Sequence, residues 1–238
     1  MGGASWCSCE LSHAQLSEQI FGQYPQQTSQ QTSQQARPTP LLLPLSPALE
    51  RWIGIASAGM HHLLLLGPRG SGKTHALEWL IALQPPASSE ILLRQAFLQE
   101  LSIPHAPIPS HGLPLRRIGS QNRPGALTGT FYRGGLRPGE FSLAHGGILL
   151  ADELPEWARD SRESLREPLE NGTVLVTRTA GTIELPARFQ LAATGNLCPC
   201  GVQLRKPNEA EYSQVLECRC TAHGRAAYLS RLSGPVLD

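Results

Sequence analysis

The apolar positions of this chain fall into short dense runs punctuated by glycine and proline, and the period of each run predicts its element. Leu63 to Leu66 is continuously apolar, too short for a helix and closed by Gly67-Pro68, which predicts a strand buried on both faces. Ala76, Leu77, Leu80, Ile81 and Leu83 recur at helical spacing until Pro85-Pro86 ends the pattern. Pro47 to Gly59 predicts a helix feeding the first strand, and Ser89 to Leu101 another, with Ser88 or Ser89 as its cap. Ile148 to Ala151 repeats the fully apolar strand pattern and is entered through Gly146-Gly147. From Pro155 the pattern predicts a helix with its proline in the first turn and Gly172 just past its end. Thr173 to Arg178 alternates, Ala180-Gly181 turns and Thr182 to Leu185 returns, which predicts a hairpin; Arg188 to Thr194 is a third core strand. Buried strands alternating with helices predict an α/β fold of three layers around a parallel sheet.

Two stretches resist this pattern. Residues 1 to 40 hold few periodic apolar positions and include the glutamine-rich QYPQQTSQQTSQQARPTP, which can bury almost nothing, so the folded domain is expected over residues 41 to 238 and a disordered tail before it. Residues 102 to 140 are rich in proline and glycine and carry Arg116, Arg117, Arg123, Arg133 and Arg137 against the acid Glu140. That composition predicts a mobile, solvated basic surface, with nucleic-acid contact as the alternative.

The chemistry sits where the strands end. Gly67, Pro68, Arg69, Gly70, Ser71, Gly72, Lys73 and Thr74 fit G-x-x-x-x-G-K-[ST], in which glycines let backbone N–H groups curl around phosphate oxygens. Lys73 would reach the β and γ phosphates, Thr74 would hold Mg²⁺ through its hydroxyl, and the helix starting there would turn its positive end toward the anion. A glycine-rich turn matching by accident does not require a strand before it and a helix after it. The strand ending at Ala151 runs into Asp152-Glu153, an arrangement that suits Asp152 to the magnesium and Glu153 to polarising an attacking water. Asn196, just past the third core strand, is a candidate to hold that water with Glu153, the bland alternative being a turn cap. The cofactors implied are ATP and Mg²⁺.

The whole chain adds less. At 238 residues with a formal net charge of +1, it offers no global argument for nucleic acid. It shows no apolar signal segment and no stretch approaching a membrane span, so no membrane partner is expected and the cytoplasm is the default compartment. All six cysteines fall in Cys-x-Cys pairs, Cys7/Cys9, Cys198/Cys200 and Cys218/Cys220. In a reducing compartment such pairs suggest metal ligands before disulfides, and the last four are candidates for one Zn²⁺, although Cys-x-Cys is tighter than the usual spacing. Ordinary reduced thiols are the alternative, and the one favoured for Cys7/Cys9.

Residues 48 to 238 resemble the YifB/ComM family of magnesium-chelatase-like AAA+ ATPases. The resemblance rests on ASAGMHHLLLLGPRGSGKT, LRPGEFSLAHGGILLADELPEW, LREPLENGTVLVTR, LPARFQLAATGN, CPCG with CRC, and YLSRLSGPVLD, in that order. It implies a P-loop NTPase (AAA+) core that self-associates into a ring, a hexamer by analogy, with nucleotide between subunits and a β-hairpin before the sensor strand. For some members it implies DNA branch migration during uptake of foreign DNA, and related enzymes drive magnesium insertion into porphyrin. Lys73 and Thr74 match the phosphate-loop residues, Asp152 and Glu153 the magnesium and water-activating acids, Asn196 the polar sensor, and Arg178 the hairpin that can face the pore. The sequence departs from the family in three places. The large preceding domain gives way to the low-complexity tail, RRIGSQN replaces an Arg-x-Pro-His-His motif, and Asp238 comes before the arginine and helical lid that reach a neighbour's γ-phosphate. From the last departure one expects ATP binding with little turnover by this chain alone, with Arg225 and Arg231 contacting the cysteine loop or solvent. Two other readings stay open: a sigma-54-type AAA+ transcription activator, from GALTGT followed by EFSLAHGGILLADE, and a nucleotide-binding but inactive fragment.

Overall fold

Four parallel strands carry the fold, and their order brings the polar strand ends together. The computed structural model describes residues 44–103, 112–132, 135–178, 181–202, 218 and 220–232. In chain order the elements are α1 (Pro47–Gly59), β1 (Leu63–Leu66), α2 (Lys73–Ala82), α3 (Ser89–Ser102), β2 (Leu115–Ile118) and α4 (Pro124–Thr128). A hairpin of β3 (Gly129–Tyr132) and β4 (Gly135–Pro138) follows, then α5 (Glu140–Leu143), β5 (Ile148–Ala151), a 3-10 turn (Leu154–Glu156), α6 (Arg159–Glu163) and α7 (Arg166–Asn171). The rest are the hairpin β6 (Thr173–Arg178) and β7 (Gly181–Pro186), β8 (Gln190–Gly195), α8 (Ala222–Leu229) and a 3-10 turn (Ser230–Leu232).

The central sheet runs β1-β8-β5-β2, all parallel. Parallel strands must be covered on both faces, and successive residues accordingly divide between two cores. Ile148, Leu150 and Ala192 pack with Ile53, Ala56, Ala76, Leu77 and Leu80 of α1 and α2. Leu149, Ala151, Leu191 and Ala193 face the other way, onto Phe141, Leu154, Trp157, Leu165 and the hairpin residues Val174, Val176 and Leu185. This is the three-layer α/β architecture with a hairpin before β8. Each fully buried leucine contributes about 1.5–3 kcal/mol relative to leaving it exposed, so Leu149, at 0 % exposure, is among the costliest residues to truncate.

The expected basic loop over residues 102–140 is corrected by the structure. Residues 115–118 form the edge strand β2, paired along its length with β5, and residues 129–132 pair antiparallel with residues 135–138. Arg116 is not free for a partner: its Nε and Nη2 donate to the two carboxylate oxygens of Glu140 at 2.6 and 2.9 Å. The alternation Leu-Arg-Arg-Ile carries too little apolar character to announce a core strand, and the arginine-glutamate pair that makes it tolerable lies 24 residues apart in sequence.

The helix expected from Pro155 to Gly172 is broken into three pieces. Trp157 is extended, at φ −63° and ψ 147°, and its indole Nε1 turns back to donate to the Asp152 carbonyl at 2.9 Å. Pro168 lacks an N–H, so a new helix starts at Arg166 with the proline inside its first turn. Elsewhere the elements match: α1 and β5 have the expected bounds, and Ser88 is the cap of α3, its Oγ accepting from Ile91 N at 3.3 Å. The third core strand is shifted two residues toward its C-terminal end at Gly195 relative to its expected start. Expectations on residues 1–40, Cys7, Cys9 and Arg133, and on the Arg178 side chain, lie outside the described residues.

Candidate nucleotide-binding site

Because the sheet is parallel, β1, β5 and β8 deliver their C-terminal ends to one edge, where ligands of open α/β sheets bind. Leu66 pairs with Gly195 and Ala151 with Ala193, so the loop after β1, the acids after β5 and Asn196 after β8 share that edge. β8 lies between the other two, which places the Asn196 position between the glycine-rich loop and the acids.

The loop is anchored at its start by Gly67 N, which donates to the Gly195 carbonyl at 3.1 Å. Gly70 and Gly72 adopt φ +76° and +81°, left-handed conformations that L side chains resist, so the chain can fold tightly before α2 begins. Lys73 Nζ donates to the Gly67 and Pro68 carbonyls at 2.9 and 2.7 Å, closing the loop around its own ammonium. Burial pushes the Lys73 pKa below its ordinary value, and the carboxylates of Asp152 and Glu153 pull it partly back. Thr74 stands exposed in the first turn of α2, which takes up its first i→i−4 bond between Ala76 N and Gly72 O at 2.9 Å. A polyanion at this loop would meet backbone N–H groups, a helix N-terminus and one cation.

The acids are held from beneath by Thr194, the penultimate residue of β8. Thr194, 2 % exposed, donates its hydroxyl to Asp152 Oδ1 at 2.5 Å and accepts from the Glu153 N–H at 3.0 Å. Glu153 sits at φ +49°, an uncommon conformation for a non-glycine residue and a strain that recurs at functional positions. Both acidic side chains are exposed at the sheet edge, whereas Asn196 is buried at 3 % exposure. Thr194 and Trp157 both lie inside the family-like blocks LPARFQLAATGN and LRPGEFSLAHGGILLADELPEW, but nothing in those blocks assigns either a role at the acids. Beyond them the sequence offers a lone hydroxyl in the apolar run LAAT and nothing for the tryptophan that holds the Asp152 carbonyl.

Beyond Asn196 the chain turns at once into the first cysteine pair. Cys198, Cys200, Cys218 and Cys220 are free thiols whose sulfurs all lie within 4.8 Å of one another. Arg225 Nη1 donates to the Cys220 carbonyl at 3.0 Å, the contact with the cysteine segment that the sequence suggested. Arg231 is exposed to solvent, the other outcome the sequence suggested. It lies over the Tyr228 ring at 5.4 Å and reaches Glu156 Oε2 at 3.8 Å, beside the acid-bearing turn.

A parallel β1-β8-β5-β2 sheet with a glycine-rich loop after its first strand and paired acids after β5 defines a P-loop NTPase core of the AAA+ kind. The comparison with known families is decisive on the next level: "Magnesium chelatase, subunit ChlI" matches residues 47–238, and the chain belongs to that family. It is 40 % identical over 190 residues to the uncharacterized protein YifB of Salmonella typhimurium and 35 % identical over 190 residues to the competence protein ComM of Haemophilus influenzae. Each alignment covers 79 % of this chain and 35 % of the relative, so the chain spans about a third of the length of these curated relatives. Among solved structures, a BchI–BchD magnesium chelatase complex is similar at 20 % identity and a TM-score of 0.47, covering 78 % of this chain and 63 % of that one. NtrX from Brucella abortus is similar at 19 % identity and a TM-score of 0.45, covering 65 % and 31 %. Among the described residues, no helix is long and apolar enough to cross a membrane.

Proposed function

We propose that this chain is the ATP-binding and ATP-hydrolysing core of a magnesium-chelatase-like AAA+ protein. Gly67 through Thr74 hold the triphosphate, Lys73 as its cation and the backbone of Pro68, Arg69, Gly70, Ser71 and Gly72 as its cradle. Thr74 and Asp152 offer the hard oxygen ligands that Mg²⁺ prefers, and bound there the ion neutralises charge on the phosphates. Glu153 accepts the proton of the attacking water, and Asn196 orients that water from the neighbouring strand end. The observation that carries this reading is Thr194, which hydrogen-bonds both acid positions from the strand lying next to the loop strand.

On the larger scale we read the chain as a subunit core of a ring, hexameric by analogy with its class, that spends ATP turnover on remodelling a partner. The resemblance to a competence protein makes DNA, through branch migration, the partner to test first. Four free thiols fit a reducing compartment, the cytoplasm.

Titration with a fluorescent ATP analogue, with and without Mg²⁺, beside phosphate release, tests the assignment of roles. Glu153→Gln is expected to keep Mg²⁺-dependent binding and lose whatever phosphate release the wild-type chain shows, whereas Asp152→Asn loses the Mg²⁺ dependence of binding itself. Equal defects in the two variants would contradict the separate roles.

A further inference from the structure

We propose that Cys198, Cys200, Cys218 and Cys220 bind one structural Zn²⁺ as a tetrathiolate, and that this metal knot fastens the phosphate loop to the end of β8. The sulfur positions carry the first half. A tetrahedral zinc with Zn–S bonds of about 2.3 Å needs sulfurs about 3.8 Å apart. Here Cys198 and Cys200 are 3.0 Å apart, Cys200 and Cys218 3.5 Å, Cys218 and Cys198 3.5 Å, and no pair of the four exceeds 4.8 Å. The spread brackets the ideal edge, with the short value in the Cys-x-Cys pair, where the backbone allows least room. Four thiols gathered from two segments 18 residues apart have no packing reason to converge on a point, because sulfurs meeting sulfurs exclude the apolar contacts that buried cysteines usually make. Soft ligands in a four-sulfur set select zinc over the oxygen-seeking Mg²⁺.

The second half follows from what the knot touches. Cys198 O accepts from Gly201 N at 3.0 Å, forming the turn that carries the first ligand pair. Gly201 O in turn accepts from Arg69 N at 3.1 Å, so the ligand turn holds the middle of the glycine-rich loop. Gly201 has φ +67°, a left-handed conformation that favours glycine in this turn, and the Arg69 side chain lies over it, its Nε 2.7 Å from where a Cβ would stand. The second pair ends one residue before Thr221, whose Oγ1 caps α8 by accepting from Gly224 N at 3.0 Å. One ion would therefore join the Asn196 strand end, the phosphate loop and α8. Its role is positioning.

The test uses the full 238-residue chain, purified without chelator or a histidine tag. Elemental analysis is expected to find one equivalent of zinc, released as a mercurial titrates the six thiols of the chain and in proportion to the four at the site, and Co²⁺ in its place should give the intense visible absorption of a tetrahedral cobalt–thiolate. Cys7→Ser should keep the metal, and Cys198→Ser/Cys218→Ser should lose it. So that a folding failure of that double variant does not decide the matter, zinc is also withdrawn from the wild-type chain by a high-affinity chelator under reducing conditions and restored by added Zn²⁺, and the two states are compared directly. Removal should weaken binding of the fluorescent ATP analogue about fivefold, the equivalent of one lost hydrogen bond, and restored zinc should recover it. The nucleotide arm rests on the ATP site proposed above, whereas the zinc count does not, so the two can fail separately. Zinc-free wild-type protein that takes up neither Zn²⁺ nor Co²⁺, or a Cys198–Cys200 disulfide in freshly reduced protein, overturns the metal site. Metal at one equivalent with unchanged nucleotide affinity on removal overturns the fastening role.

Discussion

Replacing Thr194 by valine keeps the shape of a buried β-branched side chain and deletes one hydroxyl, which makes it a sharp probe of how the acidic turn is held. The hydroxyl donates to Asp152 Oδ1 at 2.5 Å and accepts from Glu153 N at 3.0 Å, so the change removes two hydrogen bonds at once. A bond to a charged acceptor contributes about 1.5–3 kcal/mol in general and an unsatisfied buried N–H costs about 1–3 kcal/mol. Asp152 is exposed, and water replaces much of its lost donor, so the lower end applies on that side. The expected total is about 2 kcal/mol, which at an m-value of about 2–3 kcal/mol/M lowers the urea midpoint by about 0.7–1 M. Thr194→Ser retains the hydroxyl and should recover most of that loss. The valine variant should also need more Mg²⁺ to reach full nucleotide affinity, because Asp152 loses the partner that orients it. Equal midpoints for valine and wild type, or equal losses for serine and valine, would refute the reasoning.

Acidification tests His145, whose Nδ1 accepts the Arg188 N–H at 3.1 Å. Its pKa is lowered from 6.5 by burial and then by Arg94 and Arg188, with Glu90 opposing, so the folded state prefers the neutral ring. The contribution is full above about 6.5 and is lost as pH falls through the depressed folded value; the urea midpoint should drop between about pH 7 and 5, and His145→Asn should flatten that slope, whereas a midpoint that rises on acidification contradicts it. A double-mutant cycle on Arg116→Ala and Glu140→Ala should give a coupling of about 1 kcal/mol, since the bidentate pair is partly exposed, and a coupling near zero would return Arg116 to the free basic surface first expected.

The parts of the fold written in local patterns were legible in the sequence. Ile148–Ala151 is apolar on both faces because both faces are covered, and that alone announces a buried parallel strand. Leu63–Leu66 reads the same way and forms β1, but at the end of the sheet it is only half-buried and Leu66 is 40 % exposed, so the expected burial on both faces is corrected. The glycine-rich spacing after β1 and the paired acids after β5 are likewise short-range patterns, and the strand register brings both to one sheet edge. What stayed hidden depends on contacts distant in sequence. β2 reads as loop because Arg116 is satisfied by Glu140 rather than by its neighbours. The break at Trp157 needs the Asp152 carbonyl as its acceptor, and Thr194 matters only once β8 has been inserted beside β5. Gly201 likewise looks like any turn glycine until Arg69 is seen against it.

The central claim is that the loop from Gly67 to Thr74 binds the polyphosphate of ATP with Lys73 as its cation, and Lys73→Ala tests it most directly. The ammonium closes on the Gly67 and Pro68 carbonyls, which on the proposed reading places it to meet an anion seated in the loop. Removing a charged hydrogen-bond donor costs about 1.5–3 kcal/mol, or about ten- to a hundredfold in the dissociation constant. Isothermal titration of the wild-type and variant chains with ATP and Mg²⁺ should show that loss, with unchanged urea midpoints excluding a folding defect. Wild-type and Lys73→Ala chains binding ATP·Mg²⁺ with the same affinity would contradict the account.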